Sequence, residues 1–542
     1  MRMKAMDSQT IANTQFAVQL VGPGQLRLNP AKEVFKPGPH QILAKVECVG
    51  LCFSDLKLLK QFNQHARKSP IVAGLGADVL QQIPSYVPGE KPTVPGHEVT
   101  CRIVAVGPKV EHHRVGQRVL VQTDYRDLPT ASSNAAFGYN FEGALQEYVL
   151  MDERVVMDKS GQSFLIPVSE ELSASAVALV EPWACVENSY VSPERSKIKP
   201  GGRLLIVSDA GRELHGIPDA PATVLKAPSL EQLAALPAEG FDDILYFGAL
   251  RPVIEVLNDK LAPRGILNIV RGARPIGQPV SVGIGRVHYG MTRWIGTVGE
   301  DAAESYRHIP QTGELRVGDR VVVIGAGGPM GQMHVIRAVC SGITGISVTG
   351  TDMDDARLQS LLSKAAPLAT ANSVNLRMVN TQKTPVAEPF SYYALMAPVG
   401  ALVASAVRDA APGAMINIFA GIPAPTRQEL DLDAYIEKRC FMFGTSGSVI
   451  RDMKIVLQKV TSGQLDTNTS VDAVSGMAGA VDGIAAVENR TLAGKILVYP
   501  QLHELPLTPL GELTGKYPTV AARLRQGQWT AEAEQELLRV AR

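Results

Sequence analysis

The sequence has no excess of either charge and no closely spaced cysteines. Its 542 residues include 53 Lys and Arg and 53 Asp and Glu, so the formal net charge is zero. A nucleic-acid-binding protein usually carries a basic surface, and we therefore expect no nucleic-acid partner. The six cysteines, at positions 48, 52, 101, 185, 340 and 440, never form a C-x-x-C pair. This spacing argues against a disulfide framework and predicts a reducing, cytoplasmic environment.

Long apolar runs are also missing. The stretch MRMKAMDSQT, residues 1–10, has no apolar core that could serve as a signal peptide. No later run is long enough to span a bilayer, so we expect no membrane association. The hydrophobic fraction of 45% and the charged fraction of 20% are ordinary for a globular enzyme. The chain length predicts two to four domains.

A glycine-rich loop follows an apolar, β-branched run at residues 321–324, which is typical of a buried parallel strand. A helical pattern comes after the loop, and the resulting strand–turn–helix lets the backbone approach a pyrophosphate. The glycine spacing is G-x-G-x-x-x-G, one residue longer than the usual fingerprint. The loop residues that we expect to bind a dinucleotide are Gly325, Gly327, Gly328, Pro329, Met330 and Gly331.

Asp352 strengthens this interpretation, because it follows the next strand about 20 residues beyond the last glycine, where an acid binds the adenosine ribose. A carboxylate there repels a 2′-phosphate, so NAD(H) is favoured over NADP(H). Arg357, on the following helix, is the last candidate for cofactor binding. The alternative is a tight turn beside a surface aspartate.

A second set of residues has the chemistry of a metal site. Cys52 lies in VGLCFSDLK, His97 and Glu98 lie in VPGHEVTCRI, and Glu181 lies in ALVEPWACV. Thiolate, imidazole and carboxylate are suitable ligands for a catalytic zinc that keeps one position open. Taken alone, Cys52 could equally be a small buried thiol.

The chain resembles the medium-chain, zinc-dependent alcohol and polyol dehydrogenases. The matching segments are KPGPHQILAKVECVGLCFSD, VPGHEVTCRIVAVG, GQRVLV, EGALQEYVLM, ALVEPWACV, the Gly325 loop and LAGKILVYP. The sorbitol dehydrogenase and sorbose-1-phosphate reductase-like branch is nearest. The resemblance implies an α/β protein with a GroES-like, β-rich catalytic domain and a doubly wound Rossmann domain. It implies zinc ligands at Cys52, His97 and Glu181, with Glu98 as an alternating ligand or close neighbour, and Ser54 as the acceptor of the substrate proton.

Three departures from the family change the expectations. Residues 122–143, which align with a lobe that often binds a structural zinc, contain no cysteine, so we expect one catalytic zinc and no structural one. Residues 60–91 form an insertion with Lys60, His65, Arg67 and Lys68, which is either a solvated basic loop or a lid that contacts a substrate phosphate or carboxylate. Lys57 replaces a histidine that ends a proton relay; either Lys57 takes over the relay or protons leave through water.

An internal repeat predicts a second, degenerate Rossmann-like unit. The stretch IKPGGRLLIVSDAG from Ile198 aligns without a gap with LRVGDRVVVIGAGG from Leu315, and Ser208 and Ala210 stand where Gly325 and Gly327 stand. Without those glycines, the first copy should not bind a pyrophosphate. It either covers the sheet edge of the second copy, as an internal pseudo-partner in place of a homodimer, or decorates the surface.

The predicted domains are a first part of the catalytic domain (1–195), the degenerate repeat (196–305), the NAD-binding domain (312–450), the return to the catalytic domain (451–500) and a helical extension (501–542). Thr530 is the expected N-cap of the last helix.

The predicted function is hydride transfer between NAD(H) and a secondary alcohol or ketone of a small-molecule sugar, polyol or phosphorylated substrate. Two alternatives stay open. One is an epimerase or lyase that uses tightly bound NAD transiently, and the other is a nucleotide-binding protein that has lost its catalysis.

Overall fold

The computed structural model describes residues 11–541; residues 1–10, for which the sequence predicts no signal peptide, lie outside the described part. The described residues divide into two compact units, one of residues 11–184 with 448–541 and one of residues 185–447. The predicted boundaries at 195 and 450 lie near these limits, and the predicted C-terminal extension belongs to the first unit. Among residues 11–541, no helix combines the length and the apolar character needed to cross a membrane.

The N-terminal part of the first unit is rich in β-structure. Its strands are β1 (Thr14–Gly22), β2 (Gln25–Glu33), β3 (Gln41–Gly50), β4 (Glu98–Val106), β5 (Arg118–Val121), β6 (Asp124–Pro129), β7 (Asn134–Ala136), β8 (Tyr148–Asp152) and β9 (Leu165–Pro167). Its helices are α1 (Phe53–Gln61), α2 (Ala77–Gln81), α3 (Glu153–Val156), α4 (Ala174–Ala178) and α5 (Val180–Val191), the last of which runs into the second unit.

The second unit begins with the degenerate repeat. Its strands are β10 (Leu204–Ser208), β11 (Ala222–Lys226), β12 (Phe241–Phe247), β13 (Leu261–Val270), β14 (Val280–Val282) and β15 (Arg293–Thr297), and its helices are α6 (Leu230–Ala234), α7 (Arg251–Lys260), α8 (Gly285–Tyr289) and α9 (Ala302–Arg307). Five strands form a parallel sheet in the order β11-β10-β12-β13-β15. Strand β12 is buried along its whole length, as expected for a strand covered on both faces.

The second copy forms a parallel sheet of six strands in the order β18-β17-β16-β19-β20-β22. Its strands are β16 (Arg320–Ile324), β17 (Ser347–Asp352), β18 (Asn375–Asn380), β19 (Tyr392–Leu395), β20 (Met415–Ile418), β21 (Gln428–Leu430) and β22 (Phe441–Phe443), and its helices are α10 (Pro329–Val339), α11 (Asp355–Ala371), α12 (Gly400–Asp409) and α13 (Leu432–Glu437). Helix α10 joins β16 to β17, whereas residues 209–221, which join β10 to β11, contain no helix.

The two copies pack against each other inside the second unit. Strand β14 pairs antiparallel with β21, and one buried apolar cluster draws residues from both copies. The Tyr435 hydroxyl donates to the Trp294 carbonyl of β15 at 2.8 Å and accepts from the Met442 N–H of β22 at 2.9 Å. Arg271 of the first copy also pairs with Asp433 and with Glu437 of α13. Tyr435 thus bridges the last strands of the two sheets.

The chain then returns to the first unit through α14 (Ile450–Thr461), β23 (Val471–Ser475), α15 (Ala480–Asn489), β24 (Lys495–Val498), β25 (Thr508–Pro509), α16 (Leu513–Lys516), α17 (Pro518–Ala521) and α18 (Ala531–Val540). Strands β23 and β24 complete a sheet in the order β25-β23-β24-β3-β4-β5-β9, with β8 also on β3. Thr530 caps α18 by accepting the Ala533 N–H at 3.1 Å, as predicted. The predicted fold class, a GroES-like domain with Rossmann-like parallel sheets, is confirmed.

Candidate active site

Cys52 occupies the turn between β3 and α1. Its N–H donates to the Asp55 carboxylate at 3.0 Å, and the Asp55 N–H donates back to the Cys52 carbonyl at 3.1 Å. Asp55 is therefore an acidic residue in the first turn of a helix, where free N–H groups favour a carboxylate. These reciprocal bonds fix the position from which the Cys52 thiol projects.

His97 and Glu98 reach Cys52 from the start of β4. One ligand atom of each residue, the Cys52 sulfur, a His97 ring nitrogen and a Glu98 carboxylate oxygen, lies within 4.8 Å of the other two. Glu98 pairs with Gly50 across β3 and β4, and its carboxylate fills the space that a side chain at Gly50 would need. The strand register thus brings together three of the four predicted ligands.

Asp55 orients the imidazole of His97. The distance from Asp55 Oδ1 to His97 Nδ1 is 3.2 Å, and both side chains are buried. Burial raises the pKa of Asp55, but the charge of His97 and the hydrogen bonds from His97, Cys52 and Gly96 outweigh it, so the pKa lies below its usual range. A carboxylate bound to one ring nitrogen holds the proton there and leaves the other nitrogen for a metal.

Glu98 forms a buried ion pair with Lys495 of β24, a residue that the sequence analysis did not select. The distance from Lys495 Nζ to Glu98 Oε1 is 2.6 Å, and Nζ also donates to the Leu51 carbonyl at 2.7 Å. The other carboxylate oxygen, Oε2, is buried with no hydrogen-bond partner. A buried oxygen without a donor fits a metal ligand, and the thiol, imidazole and carboxylate together fit zinc. The signal available in the sequence was a lysine at the start of the apolar run of LAGKILVYP. A lysine buried in such a run needs an anionic partner.

Glu181, the fourth predicted ligand, lies in the first turn of α5 and is buried, but it is not part of the three-residue group. Burial raises its pKa to about 7, with further increases from Glu98 and Asp124 and an opposing effect of His97. Its carboxylate is therefore within electrostatic range of the group. A cation at the group would favour the ionised form of Glu181.

Ser54 contacts both the thiol and the imidazole. Its Oγ lies 3.1 Å from Cys52 Sγ and 3.1 Å from His97 Nε2. It also forms a hydrogen bond with Tyr139, a buried residue that the sequence analysis missed; burial raises the Tyr139 pKa, against the charges of His97 and Arg67. The predicted proton acceptor therefore lies at the metal-binding group. Lys57, by contrast, is exposed on α1 and lies outside that group.

The cations of the 60–91 insertion have different surroundings. Lys60 pairs with Glu488 at 2.9 Å, and both side chains are exposed. Lys68 is buried and donates to the Lys91 carbonyl at 2.8 Å and to the Val87 carbonyl, and burial lowers its pKa to about 7. Arg67 pairs with Asp124 at 2.6 Å. Lys68 holds the insertion together, and Arg67 connects it to β6.

The glycine loop of the second copy has the geometry of an anion cradle. Gly325 adopts a φ of +84°, and a side chain at Gly331 would collide with the Gly325 carbonyl. Gly328 precedes α10 without a side-chain cap, and Pro329 and Met330 form the first turn. The N–H groups of that turn are thus open to a phosphate.

Asp352 ends β17 next to the same loop. Its Oδ2 accepts the Gly327 N–H at 2.9 Å, and a side chain at Gly327 would crowd Asp352 and Arg357. Arg357 lies 3.8 Å from Asp354 at the start of α11. The structure therefore places all eight predicted cofactor-binding residues around one loop, and the arrangement fits a dinucleotide.

The matching turn of the first copy is filled by its own side chains. Asp209 accepts the Tyr246 hydroxyl at 2.7 Å and the Ala249 N–H at 3.3 Å. Its carboxylate lies against Gly248, where a side chain would collide with it. A negative charge at the end of β10, with no helix after it, is unsuitable for a pyrophosphate.

Comparison with known proteins tests the predicted resemblance. Residues 38–161 match the alcohol dehydrogenase GroES-like domain. The L-sorbose 1-phosphate reductase of Klebsiella pneumoniae is 26% identical over 337 residues, which cover 53% of this chain and 76% of that protein. The chain therefore contains an alcohol dehydrogenase GroES-like domain and is similar to the medium-chain, zinc-dependent alcohol and polyol dehydrogenases. The predicted resemblance is confirmed, and these similar proteins support an oxidoreductase.

Other members of the family match shorter or more divergent parts. The D-xylulose reductase of Morganella morganii is 27% identical over 175 residues, which cover 31% of this chain and 44% of that protein. The crystal structure of 2R,3R-butanediol dehydrogenase from Bacillus subtilis gives a TM-score of 0.53 over 90% of this chain and 100% of that one, at 15% identity. At that identity, the similarity shows the fold alone.

Proposed function

We propose that the protein is a zinc-dependent oxidoreductase that transfers a hydride between NAD(H) and a secondary alcohol or ketone of a sugar, polyol or sugar phosphate. The convergence of Cys52, His97 and Glu98 on one point, with the orphaned oxygen of Glu98 among them, carries this proposal. The similarity to an L-sorbose 1-phosphate reductase supports the choice of substrate class. The six free cysteines are compatible with a reducing cytoplasm as its location.

Cys52, His97 and Glu98 would hold the zinc, with Glu181 in electrostatic range. When bound, zinc supplies a Lewis acid for the substrate oxygen, and NAD(H) supplies or accepts the hydride. The residues of the chain orient the zinc ligands and neutralise part of their charge. Asp55 holds the proton on His97 Nδ1, so that Nε2 faces the centre of the site, and Lys495 neutralises one oxygen of Glu98.

Ser54 would receive the proton of the substrate hydroxyl during oxidation. Its Oγ is within hydrogen-bond distance of the ligand atoms, and Tyr139 offers it a second partner. The Ser54 hydroxyl can accept the substrate proton while it donates its own proton toward Tyr139, which in turn gives up its proton, so that one proton is finally released to solvent. In the reverse direction, the same hydroxyl returns the proton to the product oxygen.

The test is reduction of ketoses by the zinc-loaded protein with NADH. L-sorbose, L-sorbose 1-phosphate and D-xylulose form the first panel, and NADH consumption is the measurement. Turnover of at least one ketose, lost in Cys52→Ala and reduced in Ser54→Ala with zinc still bound, supports the proposal. Zinc and NAD bound without turnover of any ketose or polyol would instead support a protein that has lost its catalysis.

A further inference from the structure

The C-terminal helix α18 contributes a buried carboxylate to the first unit. Glu534 of this helix is only 5% exposed. Within the described part of the chain it accepts three hydrogen bonds, from the Ala174 N–H at 2.7 Å, the Ser175 N–H at 2.7 Å and the Tyr499 hydroxyl at 2.9 Å. None of these donors is a cation. A carboxylate buried in this way depends on its hydrogen bonds for stabilisation.

Two of the three donors are the first N–H groups of α4, which begins at Ala174. The unsatisfied N–H groups at the start of a helix favour a carboxylate. The Ala174 carbonyl is also held, because it accepts the Thr100 hydroxyl of β4 at 2.9 Å. Thr100 lies two residues after Glu98 in the same strand. The start of α4 is therefore fixed between the C-terminal helix and the strand that carries a predicted metal ligand.

Helix α4 leads directly to Glu181. Only Leu179 separates α4 from α5, and helical hydrogen bonds cross this junction. The Leu179 N–H donates to the Ser175 carbonyl at 3.1 Å, and the Trp183 N–H donates to the Leu179 carbonyl at 3.3 Å. Glu181 lies in the first turn of α5, within electrostatic range of His97. A displacement of the start of α4 would therefore move the Glu181 carboxylate.

The third donor connects Glu534 to the other side of the metal-binding group. Tyr499 directly follows β24, and β24 begins with Lys495, the buried partner of Glu98. One carboxylate of the C-terminal extension thus contacts both the helix that leads to Glu181 and the strand that holds Glu98.

We propose that Glu534 is a positioning residue for the metal site. By binding the start of α4 it fixes the helices that carry Glu181, so that the Glu181 carboxylate faces a metal held by the three-residue group. This inference rests on the proposed function, because it requires a metal at that group. It assigns the C-terminal extension a task in the chemistry of the site. A purely structural Glu534 would attach α18 to the protein and leave the surroundings of the metal unchanged.

The first experiment records the visible absorption spectrum of the protein loaded with Co²⁺ in place of zinc, because the bands of Co²⁺ respond to its ligands and their geometry. Glu181→Gln gives the reference spectrum for loss of that carboxylate. Glu534→Gln should shift the wild-type spectrum toward this reference, because an amide has one oxygen and cannot accept both N–H groups of α4. Glu532→Gln, the same change at an exposed position of the same helix, should keep the wild-type spectrum. A wild-type spectrum in Glu534→Gln or in Glu181→Gln would overturn the inference.

Two further variants separate the contact with α4 from the other effects of the substitution. Tyr499→Phe removes the third donor but leaves both N–H groups of α4 on Glu534, so its spectrum should match the wild type. A spectrum changed as in Glu534→Gln would refute the role of α4. Glu534→Asp keeps the charge but is one methylene shorter, and its spectrum should also shift toward that of Glu181→Gln. It decides the question if Glu534→Gln does not fold, and an unshifted spectrum would count against the inference.

The second experiment measures zinc affinity by competition with a chelator and needs no substrate. Glu534→Gln should bind zinc about 10-fold more weakly than the wild type, the effect expected of a residue that supports a metal site from outside it. Glu532→Gln should bind zinc as the wild type does. A lower unfolding midpoint in Glu534→Gln, together with unchanged zinc affinity and Co²⁺ spectrum, would show a structural role alone and refute the inference. If no ketose is reduced, the proposed function fails, whereas the spectra and zinc affinities still decide this inference.

Discussion

Lys495 Nζ and Glu98 Oε1 lie 2.6 Å apart, and neither side chain has appreciable exposure to solvent. The two residues are 397 positions apart in the sequence. Their pairing joins β24, from the end of the chain, to β4 beside the metal-binding group. Burial lowers the pKa of Lys495, but the negative charges of Glu98, Cys52 and Glu181 outweigh that effect, so the pKa lies above its usual value.

Lys495→Ala should destabilise the metal-free protein by about 3–5 kcal/mol, because it leaves Glu98 buried without its cation. The loss should appear as a lower midpoint in chemical denaturation. Lys495→Arg is the matched control, since it keeps the charge. The double variant Lys495→Met/Glu98→Gln should recover part of the loss, and a double variant as unstable as Lys495→Ala would show that Lys495 acts through packing.

Cys52→Ala should abolish zinc binding and activity while it leaves the fold largely intact, since the thiol projects from a turn that the Asp55 carboxylate and N–H hold through bonds to the Cys52 backbone. Metal analysis of the wild type should give about one zinc per chain, as expected for a catalytic site alone. Cys101→Ala, at a cysteine outside the metal-binding group, is the control and should keep its zinc. Two zinc ions per chain would contradict the absence of a structural site.

The two copies of the repeat should differ in dinucleotide binding. Gly327→Asp should abolish NAD binding, because the new side chain would meet Asp352 and Arg357 and add a charge beside the phosphates. Ala210→Asp, at the aligned and exposed position of the first copy, should change nothing. Calorimetry should give about one NAD per chain, as expected for one glycine loop at a helix N-terminus. Two NAD molecules bound per chain, or loss of NAD binding in Ala210→Asp alone, would contradict the assignment of the second copy as the one that binds NAD.

Asp352→Ser should narrow the preference for NAD over NADP, because it removes the carboxylate that would bind the ribose and repel a 2′-phosphate. The measurement is the ratio of dissociation constants for the two cofactors. Asp354→Ser, two residues further and at the cap of α11, is the control that should keep the ratio. A wild type that already prefers NADPH would remove Asp352 from this role.

Tyr435→Phe should destabilise the protein by about 1–3 kcal/mol, because the Met442 N–H and the Trp294 carbonyl would lose a buried partner. Tyr289→Phe, at an exposed tyrosine of the same unit, is the control. We propose that this contact replaces a homodimer edge, so the wild type should be monomeric by light scattering. A stable dimer that forms through β22 would contradict that proposal.

The sequence predicts Cys52, His97 and Glu98 as one site, because each lies in a short motif next to a strand or helix signal, and the structure brings the three side chains together. The glycine loop and Asp352 are likewise predicted to be neighbours, since both belong to one local strand–turn–helix–strand pattern, and they contact each other in the structure. The sequence analysis did not identify Lys495, Tyr139 and Asp55. Their roles depend on partners that only the folded sheet brings together. The position of Glu181 outside the three-residue group was likewise not available from spacing along the chain.

The contact between the two sheets of the second unit is encoded in one polypeptide. The fraction of molecules that form it is therefore independent of protein concentration, whereas the fraction of chains that form a contact between two chains falls on dilution. In a symmetric pair, every substitution appears on both sides of the interface, but here each side varies alone. The first copy can consequently carry Ser208 and Ala210 where the second carries Gly325 and Gly327, and the chain still has one complete glycine loop.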